Sequence, residues 1–148
     1  MTLFDRIGGE RLREVITEFY RRVFDDVMIG FMFARADRQR LIDKEWELVA
    51  ALLGAPGVKY TGRPMRAAHA QHTIFGGQFE RRLQILRETL AAFAVDPEIQ
   101  RTWLDHTESL RAQITRDRGS ECEDATVPEL AAGSREPDPD KPVKLGRK

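Results

Sequence analysis

The chain has 148 residues, 41% of them hydrophobic, which is material for one domain with one modest core. Its 24 Lys and Arg balance 24 Asp and Glu, so no net field draws in nucleic acid or an anionic membrane, and neither is expected as a partner. The opening MTLFDRIGGERLREV reaches a charge at its fifth residue and has no run of signal-peptide or membrane-span length, so a cytoplasmic location is expected; the single Cys122 excludes an internal disulfide and a multi-cysteine metal site.

In chain order, the apolar residues recur at helical spacing almost throughout. Leu12, Val15, Ile16, Phe19 and Val23 follow the Gly8-Gly9 break in the pattern of an amphipathic helix. Asp37 is placed to cap another, which runs through Leu41, Leu48 and Leu52 and stops at Gly54-Ala55-Pro56-Gly57. Pro64 suits the first turn of a short helix carrying His69 and His72. Phe79, Leu83, Leu86, Leu90 and Phe93 form a further stripe, and Asp96-Pro97 opens a last helix with Ile99, Trp103, His106, Leu110 and Ile114 on one face. No alternating run suggests a strand, so the chain is predicted to be all-α. From about Gly119 the composition changes to four of the seven prolines, no aromatic residue, and an acidic stretch followed by KLGRK. Such a segment buries too little apolar surface to offset its ordering entropy. The expected division is therefore a folded domain over 1–116 and a disordered tail over 117–148.

Polar residues stand where apolar ones belong. At about 100° per residue, Leu41, Leu48 and Leu52 point within about 20° of one direction and Glu45 lies about 40° from Leu41, inside the same stripe. An unpaired buried carboxylate is costly enough to acquire a partner or a proton, so something in the interior is predicted to answer Glu45. Met65, Ala68, His69 and His72 share one face of the short helix, and the two histidines fit a metal site, an acid-base pair or packed core residues. Alone, each of His69 and Tyr20 reads as a hydrogen-bonded core residue. Together, an imidazole, a phenol and a carboxylate point inward in a domain too short to fill its middle with side chains. A guest in the interior is the economical explanation.

These segments resemble the truncated, two-over-two haemoglobins, most nearly the bacterial group I. The similarity lies in LFDRIGGERLREVITEFYRRVF, the Phe19-Tyr20 pair, Phe31-Met32-Phe33 ahead of Asp37, and YTGRPMRAAH, which is similar to the family's approach to its iron-binding histidine; it covers roughly residues 3–115. The resemblance implies a truncated globin fold, haem b with its iron as cofactor, and reversible binding of a diatomic gas (oxygen, nitric oxide or carbon monoxide) at five-coordinate iron. It further implies an unidentified reductase, conversion of nitric oxide to nitrate as a side activity, and a monomer or weak homo-oligomer.

Residue by residue, the resemblance makes His69 the proximal ligand to iron, Tyr20 the donor to the bound gas, and Phe33 the ring packed on the porphyrin. Leu41 and Glu45 take distal positions, Lys44 faces the haem edge or propionates, and Leu48, Met65, Ile74 and Phe79 complete the cofactor contacts. Tyr60 and Gly62 match the irregular approach to the proximal helix. Three positions depart from the pattern: Glu45 stands where glutamine is common, Leu48 where an aromatic is common, and Arg82 where relatives carry valine or tryptophan. Arg82 lies about 60° from Phe79, so its stem is expected to pack while its head reaches water or a propionate. An ionised glutamate only accepts hydrogen bonds, so Glu45 would have to be neutral to donate to the gas; the alternative is that it swings outward to pair with Lys44, Arg40 or Arg82. Two rival readings are a zinc site built from His69 and His72 with Glu45 or Glu80, and a haem-free globin serving as a sensor or scaffold.

Overall fold

The computed structural model describes residues 1–70 and 72–115. Among these residues it is all-helical. The proposed tail over 117–148 and Cys122 lie outside the described residues.

Three of the helices begin at side-chain caps that the sequence offers. Helix α1 (Leu3–Ile7) is opened by a reciprocal pair, with Asp5 N–H donating to the Thr2 hydroxyl and Thr2 N–H to the Asp5 carboxylate, both at 3.0 Å. Gly8, at φ 86°, turns the chain into α2 (Gly9–Asp25), which buries Leu12, Val15, Ile16, Phe19 and Val23 as predicted, and Tyr20 with them. A single 3-10 turn (Gly30–Phe33) leads to α3 (Arg38–Leu52), where the Asp37 carboxylate accepts from Arg40 N–H at 3.2 Å. One turn of helix, α4 (Met65–Ala68), precedes α5 (Gly76–Ala92), α6 (Pro97–Ser109) and α7 (Arg111–Ile114). Asp96 caps α6 by accepting from Glu98 N–H at 2.8 Å.

Helix α2 packs on α3 and on α5, α5 packs on α6, and α4 packs on α7. The pairs α2/α3 and α5/α6 thus meet through α2 and α5, a two-over-two arrangement. The contiguous core draws on Leu12, Ile16 and Phe19 of α2, Ile42 and Val49 of α3, Leu86 and Leu90 of α5, and Ile99 and Trp103 of α6.

Three expectations need correction. On α3 the buried face is Ile42 and Val49, continued by Leu53, whereas Leu41, Glu45, Leu48 and Leu52 are half-buried. These two faces lie about 100° apart. The first enters the core beside α2, with Trp46 Nε1 donating to Gly9 O at 3.0 Å; the leucine stripe is a second apolar face. The short helix is a single turn with Pro64 at its N-cap, so His69 is its C-cap at φ −108° and His72 lies beyond it. Ala70 N–H to Ala67 O and His72 N–H to His69 O tighten the exit into i to i−3 turns. Finally, the last helix is broken at Leu110. Arg111 is drawn toward α5 by Glu80 at 2.6 Å and by the Phe79 ring, 4.6 Å from its Cζ, while it also holds Glu108.

Behind α2, the Asp26 carboxylate accepts from Met28 and Ile29 N–H at 2.9 and 3.1 Å and from Arg81 of α5 at 2.7 Å. Gly30 closes this turn: a Cβ there would lie 2.6 Å from the Phe24 carbonyl oxygen. Gly30→Ala is therefore expected to cost about 2 kcal/mol of stability. Gly77→Ala, whose Cβ meets nothing within 4 Å inside α5, should gain about 0.5 kcal/mol. Urea unfolding of the two variants checks this; equal midpoints would contradict the packing assigned to Gly30.

Candidate functional site

Tyr20, Glu45 and Arg82 converge from three helices. The Tyr20 ring, 5% exposed, meets Phe19 edge-on at 5.0 Å and Phe24 at 6.5 Å. Arg82 of α5 lays its guanidinium over Phe19, with Cζ 4.8 Å from the ring centre, and its Nη2 reaches the Tyr20 hydroxyl at 3.4 Å and Glu45 Oε1 at 3.5 Å. The Glu45 side chain is only 11% exposed, so the predicted interior partner exists and is Arg82.

The Arg82 head turns inward rather than outward, and of the three partners open to Glu45 it is Arg82 that pairs with it. The buried arc of α5 extends beyond Phe79, Leu83, Leu86 and Leu90 to Ile85 and Thr89. Arg82 falls near the middle of that wider arc rather than at its edge.

A guanidinium donates and cannot accept, so the Tyr20 oxygen receives from Arg82 and its own O–H proton is left for another acceptor. Glu45 likewise meets Arg82 as an acceptor, which is not the donor role expected of a neutral carboxyl. Burial pushes the Tyr20 phenol up to about 12, with Glu45 adding to the rise and Arg82 opposing it. Burial works to lower the pKa of Arg82, but Tyr20 and Glu45 more than offset it and leave it raised.

His69 is half-buried, and its Nδ1 lies 2.9 Å from Met65 O, one turn back. A carbonyl only accepts, so the proton is on Nδ1 and the lone pair on Nε2. Burial lowers the His69 pKa, opposed by the Met65 bond and reinforced by Arg82 and His72, which leaves a neutral imidazole near pH 7. His72 is exposed.

The remaining expected site residues surround these groups or brace them. Lys44 Nζ bonds Thr61 Oγ1 at 2.5 Å and Glu47 at 3.4 Å, while Glu47 accepts from both Thr61 N–H and Oγ1 at 2.8 Å. This network ties α3 to the segment that leads into α4. In that segment the Tyr60 hydroxyl donates to Arg63 O at 2.8 Å, and a Cβ on Gly62 would overlap the same hydroxyl. Phe33 packs on Phe24 at 5.4 Å, Leu41 borders the core, and Phe79 is buried beneath Arg111. Leu48, Met65 and Ile74 are half-buried and stand outside the contiguous core. The zinc reading gains no support: Glu45 faces Arg82, Glu80 holds Arg111, and among the described residues no three His, Cys, Asp or Glu side chains gather as a metal site.

An all-helical two-over-two sandwich with these inward polar groups defines a globin-type architecture. Solved structures share it: the truncated haemoglobin of Tetrahymena pyriformis superposes with a TM-score of 0.70 at 21% identity over 78% of this chain and 98% of that one. The truncated oxygen-avid haemoglobin of Bacillus subtilis gives 0.67 at 22% identity, over 78% and 100%. The family model for bacterial-like globins matches residues 2–116. A group 1 truncated haemoglobin of Mycolicibacterium paratuberculosis is 37% identical over 98 residues, 66% of this chain and 71% of the relative. The chain belongs to the bacterial-like globins and is a truncated haemoglobin.

That membership gives it haem with iron as cofactor and a diatomic gas as ligand. The donor set fits this cofactor. His69 offers a neutral imidazole whose Nδ1 is already engaged and whose Nε2 is available, and the half-buried leucine face of α3 supplies apolar surface. Among the described residues no helix is long and apolar enough to cross a membrane.

The chain has two tyrosines, so in Tyr60→Phe the ultraviolet ionisation of Tyr20 stands alone. Its midpoint is expected near 12 rather than the ordinary 10. Because the folded value is raised, the stabilisation from the neutral phenol is complete below about pH 10 and lost as the pH climbs through about 12. An ordinary midpoint would contradict the burial of the hydroxyl.

Proposed function

We propose that this globin binds oxygen, nitric oxide and carbon monoxide reversibly, with His69 as the proximal ligand and Tyr20 as the donor to the gas. The bond between His69 Nδ1 and Met65 O carries this reading, because it orients the ring and reserves Nε2 for iron. Haem iron supplies an open coordination position for the gas. Tyr20 receives a hydrogen bond from Arg82 and keeps its own proton for the ligand. Phe33, Leu41, Leu48, Met65, Ile74 and Phe79 are proposed as the apolar lining that excludes water, and Glu45 as the group that holds Arg82 in place. Lys44 serves the proximal side by fixing Thr61 to α3, so that the segment before His69 is braced. Formation of nitrate from nitric oxide and oxygen is a second, subordinate activity, and its turnover calls for a reductase as electron donor.

The absorption spectrum tests the first claim. Wild type and His72→Ala are expected to show a Soret band and His69→Ala to lose it; retention of an unchanged band in His69→Ala would overturn the ligand assignment. Tyr20→Phe is expected to raise the oxygen dissociation rate by about tenfold or more, the loss of one hydrogen bond to a polarised acceptor. Stopped-flow displacement of oxygen by carbon monoxide reads that rate, and an unchanged value would remove Tyr20 from the donor role.

A further inference from the structure

Cations and carboxylates are unevenly paired among the described residues. Arg35, Arg38, Arg40, Lys59, Arg63 and Arg66 are exposed and form no ion pair, whereas the arginines of α1 and α2 all hold carboxylates. Within that stretch Asp43, Glu45 and Glu47 are taken by Arg13, Arg82 and Lys44, which leaves Asp37 as its one carboxylate without an ion pair. Part of this charge is gathered on one face. Arg40 and Lys44 stand one turn apart on α3, and Lys44 Nζ reaches Thr61, so Arg40 lies along the segment before α4. Burial raises the Tyr60 pKa and the charge of Arg40 works against that rise, as expected of neighbours. The Tyr60 hydroxyl in turn donates to Arg63 O, and the Arg63 guanidinium donates to Ala67 O on α4, next to Arg66.

We propose that the face of Arg40, Lys59, Arg63 and Arg66 docks the chain's own acidic segment, residues 117–140, and is thereby closed to other acidic molecules. That segment carries eight Asp or Glu against two Arg, a net charge of −6. It also sets out from the right place: α7 packs on α4, and Thr115, at the C-cap of α7, is the last described residue. The chain therefore leaves the described fold beside the helix that carries Arg66. Ten extended residues span about 33 Å, more than α3 from end to end, so the segment is long enough to reach Arg40. Single surface ion pairs are weak, but a tethered segment meets several cations at once, at an effective concentration in the mM range. The inference uses the fold and its charges, and it stands apart from the roles proposed for His69 and Tyr20.

The test uses the full chain with haem, ferrous and bound by carbon monoxide so that the iron is diamagnetic, carrying Cys122→Ser and Ser134→Cys with a nitroxide on the introduced thiol. Nuclear magnetic resonance reads the broadening that the nitroxide imposes on backbone amides. Broadening is expected at Tyr60, Lys59 and Arg63 and not at Arg101 of α6. It should fall by about threefold or more in about 0.5 M salt, which shortens the screening length to about 4 Å. Arg40→Gln combined with Arg66→Gln, both at exposed positions, should lower it as much without added salt. A fluorescent oligoglutamate peptide gives a second readout. It is expected to bind about tenfold or more tightly to a full chain whose eight acidic residues in 117–140 are replaced by amides than to wild type, and to lose that gain when Arg40→Gln and Arg66→Gln are added. Broadening as strong at Arg101, broadening that survives salt or the double variant, or oligoglutamate affinity unchanged by the amides overturns the docking.

Discussion

A carboxylate inside a small helical domain needs a counter-charge, and Glu45 finds one in Arg82, carried by a helix on the other side of the sandwich. A buried ion pair of this kind gives little net stability, because each charge gives up its water. Apolar residues of similar volume would hold α3 and α5 together at least as well. What the pair provides is position: it brings a donor-only group against the Tyr20 oxygen and thereby decides which way the phenol proton points. Three helices are committed to a polar cluster that the hydrophobic core does not need.

The same division between core and site runs along α3. One face, with Ile42 and Val49, closes the core beside α2; the neighbouring face, with Leu41, Glu45, Leu48 and Leu52, stays half-buried. A helix with two apolar faces and only one of them spent on the core has surface left for a cofactor. His69 faces the corresponding problem at the end of α4. Four residues of helix are too few to hold a ring by themselves, and the bond from Nδ1 to Met65 O orients it within its own turn. Lys44, Glu47 and Thr61 then fix the preceding segment to α3, so the two sides of the site are braced against each other.

Local signals in the sequence are enough for two of the helix starts. Asp37 and Asp96 cap where a short acidic side chain precedes an apolar run, and the Leu12 to Val23 stripe is buried as its spacing requires. The second face of α3 is hidden in the sequence because Leu41, Glu45, Leu48 and Leu52 make the more conspicuous stripe, while Ile42 and Val49 each follow one of its leucines and read as its flank. Arg82 was misplaced because Thr89 reads as polar; in the fold its hydroxyl donates to Ile85 O at 2.8 Å, so the residue is fully buried and widens the inner arc of α5. The break at Leu110 depends on Arg111 reaching Glu80, a contact between residues 31 positions apart that carries no local mark. For His69, periodicity left three roles open, and the likeness of YTGRPMRAAH to a known approach singled out one of them.

The proposed gas chemistry stands on the His69 imidazole holding iron through Nε2. Resonance Raman spectroscopy of the ferrous protein reads that bond directly as an iron–imidazole stretch. The band is expected to be present, to shift when the histidines carry nitrogen-15, to disappear in His69→Gly and to return when free imidazole is added. A band that persists in His69→Gly without added imidazole would contradict it.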